Sequence, residues 1–409
     1  MKILAVQPYG DGAGHFGKYT VRLCHEMGKL GHEVVLCTNL INPVEYLEET
    51  PAFRLEQLGP GYSFFPFEIK KSTSPLVWFF GRVRNNVAVL NHAVCLAERE
   101  RFDIVQLFSY ELVSTWLFLA LRRPAALPPV VIEIAAANFS PDKYYGGRAE
   151  RLWRRLQKLA LKRMLGRYIQ AICMNSASHV PDLRSQLGLP EDFIVECVGD
   201  TREIPQTPLD KSEARKKIGL ADYRGCVFLF FGTIRRDKGL DNLLKAFEML
   251  PVEAECRLVI AGMPLDWSPS DEARRILSDP RVVTRFEYIP EQEIDAYFYA
   301  SDALVLPYAG FYAGSSGPLY EAGARGLPVI VSDVSETGRL ARERNLGIVV
   351  PPDDAEALAE AMKAFIHLTQ QEKAELSLNA LALVRENDRK SVAQRFVNLY
   401  ERVLREGRW

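Results

Sequence analysis

Short runs of apolar and β-branched residues recur along the whole chain, each followed by a longer amphipathic segment, and this alternation restricts the fold more than any other feature. In the first half the runs cover Lys2 to Gln7, Glu33 to Thr38, Ile104 to Leu107, Val130 to Ile134, Gln170 to Asn175 and Phe193 to Val198. A polar stretch, GDTREIPQTPLDKSEARKKIG, then interrupts the pattern from Gly199 to Gly219 with the prolines and charges of a domain junction. The alternation restarts at Val227 to Phe231 and continues through Arg257 to Ala261, Val282 to Phe286, Ala303 to Leu306, Pro328 to Ser332 and Gly347 to Val350. Parallel strands joined by right-handed helical crossovers give this pattern. The expected class is therefore α/β, with two doubly wound parallel-sheet domains in tandem, facing each other across a cleft. Ligands of such sheets bind at the carboxyl ends of the strands. The expected boundaries are 1–200, 201–385 and a final helix within 386–409, whose Phe396 and Tyr400 share one face and should pack back on the first domain.

With 409 residues the chain exceeds the roughly 250 to 300 at which single cores stop growing, which agrees with two domains. A net charge of -1 gives no electrostatic footprint for nucleic acid. The seven cysteines include no C-x-x-C pair, so neither a zinc site nor a disulfide framework is expected, and the odd count points to a reducing, cytoplasmic location. The opening MKILAVQPYG is too short for a signal h-region, and LVSTWLFLALRR ends in arginines well short of a membrane span.

Two loops could carry chemistry. In VFLFFGTIRRDKGLDNLLKAF a strand ends at Gly232 and three cations, Arg235, Arg236 and Lys238, crowd the turn before a helix. Such a turn at a strand end suits an anionic ligand, although a solvated charged turn reads the same way. In FYAGSSGPLYEAGARGLPVIVSD the small residues Gly314, Ser315, Ser316 and Gly317 precede a helix and leave its first N–H groups open to a phosphate. Glu321 lies one turn into that helix, where its carboxylate could accept two hydrogen bonds from a ribose diol. The plainer alternative is a surface glutamate favoured by the helix dipole.

Taken together, FFGTIRRDKGLDNLLKAF, LVIAGMP, FEYIPEQEIDAYFYASDALVLPY, SSGPLYEAGARGLPVIVSD and LGIVVPPDDAEALAEAM resemble the nucleotide-binding half of GT-B fold retaining glycosyltransferases of family 4, the glycosyl transferases group 1. GHFGKYTVRLCHEMGKLGHEVVLCTN resembles the acceptor-side opening of that family more loosely. The resemblance implies two Rossmann-like domains and transfer of a sugar from a nucleoside diphosphate sugar to an acceptor hydroxyl, with no cofactor and no metal. It implies that Arg235 and Lys238 neutralise the donor diphosphate and that Glu321 holds the ribose. Gly232 and the amides of Gly314 to Gly317 would line the donor, while Tyr288 and Ile289 would flank the base.

The chain departs from the family at three places. Members commonly carry a second glutamate, in contact with the donor sugar, at the position occupied here by Ala313; Ser316 and Gly317 remain, as in a subset of the family. The basic position after the glycine is Thr233, with the arginine displaced to Arg235. A histidine frequent after the fourth strand of the first domain is replaced in VVIEIAAAN by Ala135 or Ala136, and Glu133 and Asn138 are the nearest polar substitutes. No Asp-x-Asp is present to clamp a divalent ion, so Arg235, Lys238 and the loop amides would stabilise the leaving diphosphate electrostatically. These gaps motivate an alternative, a non-catalytic relative that binds a sugar nucleotide or a partner protein without turnover, and a weaker one, a nucleotide-sugar epimerase.

A rival reading comes from YGDGAGHFGKYT, where Gly12, Gly14 and Gly17 have the G-x-G-x-x-G spacing of a dinucleotide fingerprint. That fingerprint also requires an acidic residue at the end of the second strand, which here reads Cys37, Thr38, Asn39, so a nicotinamide enzyme is disfavoured. In the glycosyltransferase reading this loop, with Gly12 and Gly14, abuts the donor phosphates or the acceptor, and His15 could polarise an acceptor hydroxyl. Acceptor signals are thinner. The segment from Gly146 to Tyr168 carries eight cations against Glu150, with Trp153, Leu156 and Leu159 at helical spacing, and SPLVWFFGRVR adds Trp78, Phe79 and Phe80 beside Arg82 and Arg84. The expected role of both is an apolar stripe packed on the sheet with solvated cations outside. The other reading is peripheral docking to the inner face of an anionic membrane, to reach a lipid-linked or other glycan acceptor.

Overall fold

The structure, a computed structural model, describes residues 1–8, 15–40, 43–47, 49–58, 75–108, 111–124, 127–137, 139 and 147–406; at 15, 16, 75, 76 and 78 it describes the backbone alone. Gly12, Gly14 and Asn138 lie outside the described residues, as do the side chains of His15 and Trp78.

The chain divides into two compact units, Met1–Thr201 with the segment from Arg389, and Arg202–Asp388. The first contains β1 (Lys2–Gln7), α1 (His15–Lys29), β2 (Glu33–Thr38), β3 (Arg54–Gln57), α2 (Pro75–Arg99), β4 (Ile104–Leu107), α3 (Leu112–Arg122), β5 (Val130–Glu133), α4 (Arg148–Met164), β6 (Ala171–Met174), α5 (His179–Leu187) and β7 (Ile194–Cys197). Its seven strands are all parallel in the order β3-β2-β1-β4-β5-β6-β7. The second contains α6 (Lys211–Lys217), β8 (Cys226–Phe231), α7 (Leu240–Glu248), β9 (Cys256–Ala261), α8 (Asp271–Leu277), β10 (Val282–Arg285), α9 (Glu291–Ala300), β11 (Ala303–Leu306), α10 (Gly317–Ala324), β12 (Val329–Ser332), α11 (Ser335–Glu343), β13 (Gly347–Val350), α12 (Ala355–His367) and α13 (Gln370–Glu386). Its sheet is again parallel, ordered β10-β9-β8-β11-β12-β13. The chain closes with α14 (Arg389–Glu406).

Both orders are those of a Rossmann-like doubly wound sheet, with the winding reversing beside the first strand, between β1 and β4 and between β8 and β11. Burial on both faces explains why the strands read as continuous apolar runs. Leu4 and Val6 enter one core layer while Ile3 and Ala5 enter the other, and Phe228 and Phe230 alternate likewise with Val227 and Leu229.

β3 is absent from the sequence-based expectation. It is a half-exposed edge strand, RLEQ, without a β-branched residue, so neither hydrophobicity nor propensity marks it. α14 belongs to the first unit because Phe396, Val397 and Tyr400 enter the core layer of Ile3 and Tyr19. The Tyr400 hydroxyl donates to Gln106 Oε1 at 3.1 Å, which satisfies a polar group that the apolar layer would otherwise strand. One expectation fails. The apolar stripe expected at Trp153, Leu156 and Leu159 does not pack on the sheet as one face: Trp153 is partly buried, but Leu156 and Leu159 are exposed, and the helix is held through Ala160, Leu161 and Met164.

Candidate nucleotide-binding site

The switch point of the second sheet is lined by the segments that leave β8 and β11, the two loops singled out in the sequence. β8 ends in Gly232, whose φ of 107° turns the chain out of the strand. The turn then runs through the short 3-10 segment Arg236–Lys238 to Gly239 at φ 66°, where a Cβ would lie 1.8 Å from the Pro307 carbonyl oxygen. Only glycine lets the two loops approach this closely. The Ala309 amide donates to the Asp237 carbonyl at 3.1 Å and ties them together.

Arg235 is oriented by a bidentate pair with Asp237, at 2.9 and 2.8 Å, and keeps 35% of its side chain exposed. Its charge is therefore positioned yet open to solvent. Lys238 is different: it is 8% exposed, its Nζ lies 3.8 Å from the centre of the Tyr308 ring and 4.5 Å from that of Tyr312, and it donates to the Tyr312 hydroxyl at 3.3 Å. Burial holds the Lys238 ammonium well below the usual lysine pKa, and the Arg235 charge pushes it the same way against the pull of Asp237. An anion reaching this side chain would favour its charged form.

The same two tyrosines hold the glycine and serine loop. Tyr308 Oη is 2.7 Å from Ser316 Oγ, and the Tyr312 hydroxyl donates to the Ser315 carbonyl at 2.8 Å. Ser316 caps α10 by accepting from the Leu319 amide, and Pro318 occupies the first turn, where its missing N–H costs nothing. Ser335 Oγ donates to the Gly314 carbonyl at 3.2 Å. The helix start is thereby fixed beside the buried cation.

Glu321 sits one turn further on, its side chain 24% exposed. Arg202 Nε donates to one carboxylate oxygen at 2.8 Å and Arg325 Nη1 to the other at 2.7 Å. The two arginines thus fix the orientation of the carboxylate through charge-assisted hydrogen bonds.

The structure brings Gly232, Arg235, Lys238 and Gly314 to Gly317 into one place, with Glu321 along the same helix. Tyr288 and Ile289 lie beyond the carboxyl end of the edge strand β10; Tyr288 is 53% exposed, whereas the Ile289 side chain is buried in the core layer of Val227 and Leu229. Ala135 is exposed past the end of β5, and Glu133 is fully inside the first unit. Burial, with a smaller contribution from Asp200, pushes the Glu133 carboxyl up to about 8 against a hydrogen bond from Asn175. Sequence reasoning missed Tyr308, Tyr312, Asp237, Arg202 and Arg325. The i, i+4 spacing of Tyr308 and Tyr312 and of Glu321 and Arg325 was available as a signal; Arg202, in the polar junction, had none.

A doubly wound sheet with a positive turn, a capped glycine and serine helix start and a fixed carboxylate at its switch point has the features that suit a phosphorylated, diol-bearing ligand. Comparison with known proteins places the chain among glycosyltransferases. Residues 225–367 match the family described as glycosyl transferases group 1, and residues 16–195 match the glycosyl transferase 4-like domain. The chain belongs to the group 1 glycosyl transferases. It is 29% identical over 178 residues to the O-antigen chain mannosyltransferase B of Escherichia coli, covering 42% of this chain and 44% of that one. It is 35% identical over 221 residues to the phosphatidyl-myo-inositol mannosyltransferase of Mycobacterium leprae, covering 52% and 57%. The matches thus span about half the length of these relatives. Among solved structures, sucrose-phosphate synthase from Thermosynechococcus elongatus superposes with a TM-score of 0.73 at 19% identity over 99% of both chains. HepE of Anabaena, solved in complex with UDP, gives 0.69 at 17% identity over 98% of this chain and 100% of that one. The fold is that of the GT-B glycosyltransferases.

Proposed function

We propose that this chain transfers a hexosyl group from a nucleoside diphosphate sugar to an acceptor hydroxyl, with retention at the anomeric carbon and without a metal ion. The observation that carries the reading is the convergence of Arg235 and Lys238 beside the start of α10, since a diphosphate needs fixed cations and is favoured at a helix N-terminus. The UDP bound by the similar Anabaena protein supports a nucleoside diphosphate as the leaving group. In the reaction the bond from the anomeric carbon to the β-phosphate oxygen breaks and the acceptor oxygen bonds to that carbon from the same face. The acceptor proton passes to the departing diphosphate. Arg235 and Lys238 stabilise the charge that develops there, and the carboxylate of Glu321, fixed by Arg202 and Arg325, accepts from the ribose hydroxyls.

A second reading rests on Ala313. With an alanine where a sugar-contacting glutamate is common, the chain would bind its donor without transferring it. Incubation with uridine, guanosine and adenosine diphosphate sugars, with and without a crude glycan acceptor, separates the two. Acceptor-dependent release of nucleoside diphosphate is expected. Thermal stabilisation by a nucleotide sugar without any release would favour the binding-only reading, and stabilisation by NAD alone would overturn both.

A further inference from the structure

The first unit carries a surface that sugar transfer within the second does not use. α4 exposes Leu152, Leu156 and Leu159, spaced i, i+4, i+7, so the leucines form one stripe in the middle of its solvent face. Exposed Arg148, Arg151, Arg155, Lys162 and Arg163 share that face, and the one acidic residue of the helix, Glu150, is partly buried against Arg154. A solvent-facing helix ordinarily puts its leucines inward and its cations outward; here both point outward.

The neighbouring helices extend the patch. The start of α2 packs on α4 through an edge-on contact of Phe79 with Trp153 at 5.2 Å, which leaves Phe80 64% exposed and Val77 51% exposed. α3 packs on α4 as well, and its Leu117 and Leu121 are exposed, the latter at 83%. Arg123 stands at the end of α3 and Arg84 on α2, both exposed, and Arg122 beside them is exposed but pairs with Glu98 of α2 at 2.8 Å. Three adjacent helices therefore present apolar side chains set among arginines and lysines.

The geometry points to an anionic lipid bilayer as the occupant of this face: the apolar side chains enter the boundary between headgroups and acyl chains while the cations meet lipid phosphates. Charge complementarity selects the bilayer over a second copy of the chain, because two such faces brought together would oppose their cations. The inference does not depend on the proposed catalytic activity.

The test is flotation of the full chain with vesicles of phosphatidylcholine alone and of phosphatidylcholine with phosphatidylglycerol, at low and high salt. Binding to the anionic vesicles alone is expected, and it should fall as the Debye length shrinks from about 10 Å at 0.1 M to about 3 Å at 1 M salt. Replacing Arg151, Arg155 and Lys162 by glutamine should lower partitioning about 100-fold, at roughly fivefold per cation. Leu156→Ser with Leu159→Ser should lower it roughly tenfold and, being changes at exposed positions, leave the melting temperature unaltered. Nucleoside diphosphate affinity should be the same in all three proteins, which keeps this test separate from that of the donor site. No binding to anionic vesicles, equal binding to neutral ones, or full binding by the leucine variant would each overturn the inference. So would a dimer, seen by sedimentation equilibrium, that the leucine variant abolishes while the wild type ignores lipid.

Discussion

Lys238→Met keeps the length and apolar stem of the side chain and deletes its charge, so it separates what the lysine does for stability from what it does for binding. In the free protein the ammonium is buried between two tyrosine rings, whose cation–π contacts return about 0.5 to 2 kcal/mol of the hydration it has lost. Replacing a buried charge by a well-packed apolar group is typically neutral or stabilising by about 1 to 4 kcal/mol. With the cation–π contribution removed, the variant should lie between about 1 kcal/mol less and about 3.5 kcal/mol more stable than the wild type, a change in Tm of roughly 2 to 4 °C per kcal/mol. Binding should weaken. A charge-assisted hydrogen bond to a phosphate contributes about 1.5 to 3 kcal/mol, so affinity for UDP or GDP should fall about 10- to 150-fold. The pH dependence supplies a third readout. Because the folded-state pKa of Lys238 is lowered, the unfolded chain holds a proton that the native chain has released between that pKa and about 10.4; wild-type stability gains from rising pH across this window, and the methionine variant lacks that gain. Calorimetric unfolding and titration with the nucleoside diphosphates measure all three. A variant with lowered Tm and unchanged nucleotide affinity would refute the reasoning and make Lys238 a structural cation of the tyrosine cage.

Glu321→Gln preserves shape but leaves Arg202 and Arg325 facing a neutral amide; nucleotide affinity should drop about tenfold and stability by about 1 to 3 kcal/mol, and a lost Tm with intact affinity would reduce the glutamate to an ion-pair partner. Glu133, with its pKa raised to about 8, binds its proton more tightly when folded than when unfolded, so native stability should decline from about pH 4.3 through pH 8 as that proton is lost. Glu133→Gln should remove this decline, as denaturant midpoints across the range would show. Phe396→Ala empties a fully buried position where α14 meets the first sheet and should cost about 3 to 5 kcal/mol in the unfolding of that unit, measured by denaturant titration.

The strands and the reversal of their winding were legible because burial on both faces forces continuous apolar runs, and those runs survive any detail of packing. Arg235, Lys238 and the Gly314 to Gly317 loop were legible because turns of small and charged residues at strand ends follow from local backbone chemistry. The edge strand β3 was not, since half-exposed positions impose no pattern. Tyr288 and Ile289 fare differently because one step along the chain decides whether a side chain joins the core layer or faces solvent. The leucines of α4 were misjudged for a related reason: periodicity says which residues share a helix face, not which face the neighbouring helices leave uncovered.

The sequence by itself determined the two parallel sheets, the loops that end at the second switch point and the residue types gathered there, because each rests on interactions within a few residues or on burial averaged along a strand. Tertiary structure decided the environments. It placed Lys238 between Tyr308 and Tyr312, which lie 70 and more positions along the chain, and so lowered its pKa. It also brought Arg202, 119 positions away, onto Glu321. Desolvation and charge pairing depend on what stands within a few ångströms in space, and the fold alone sets those neighbours.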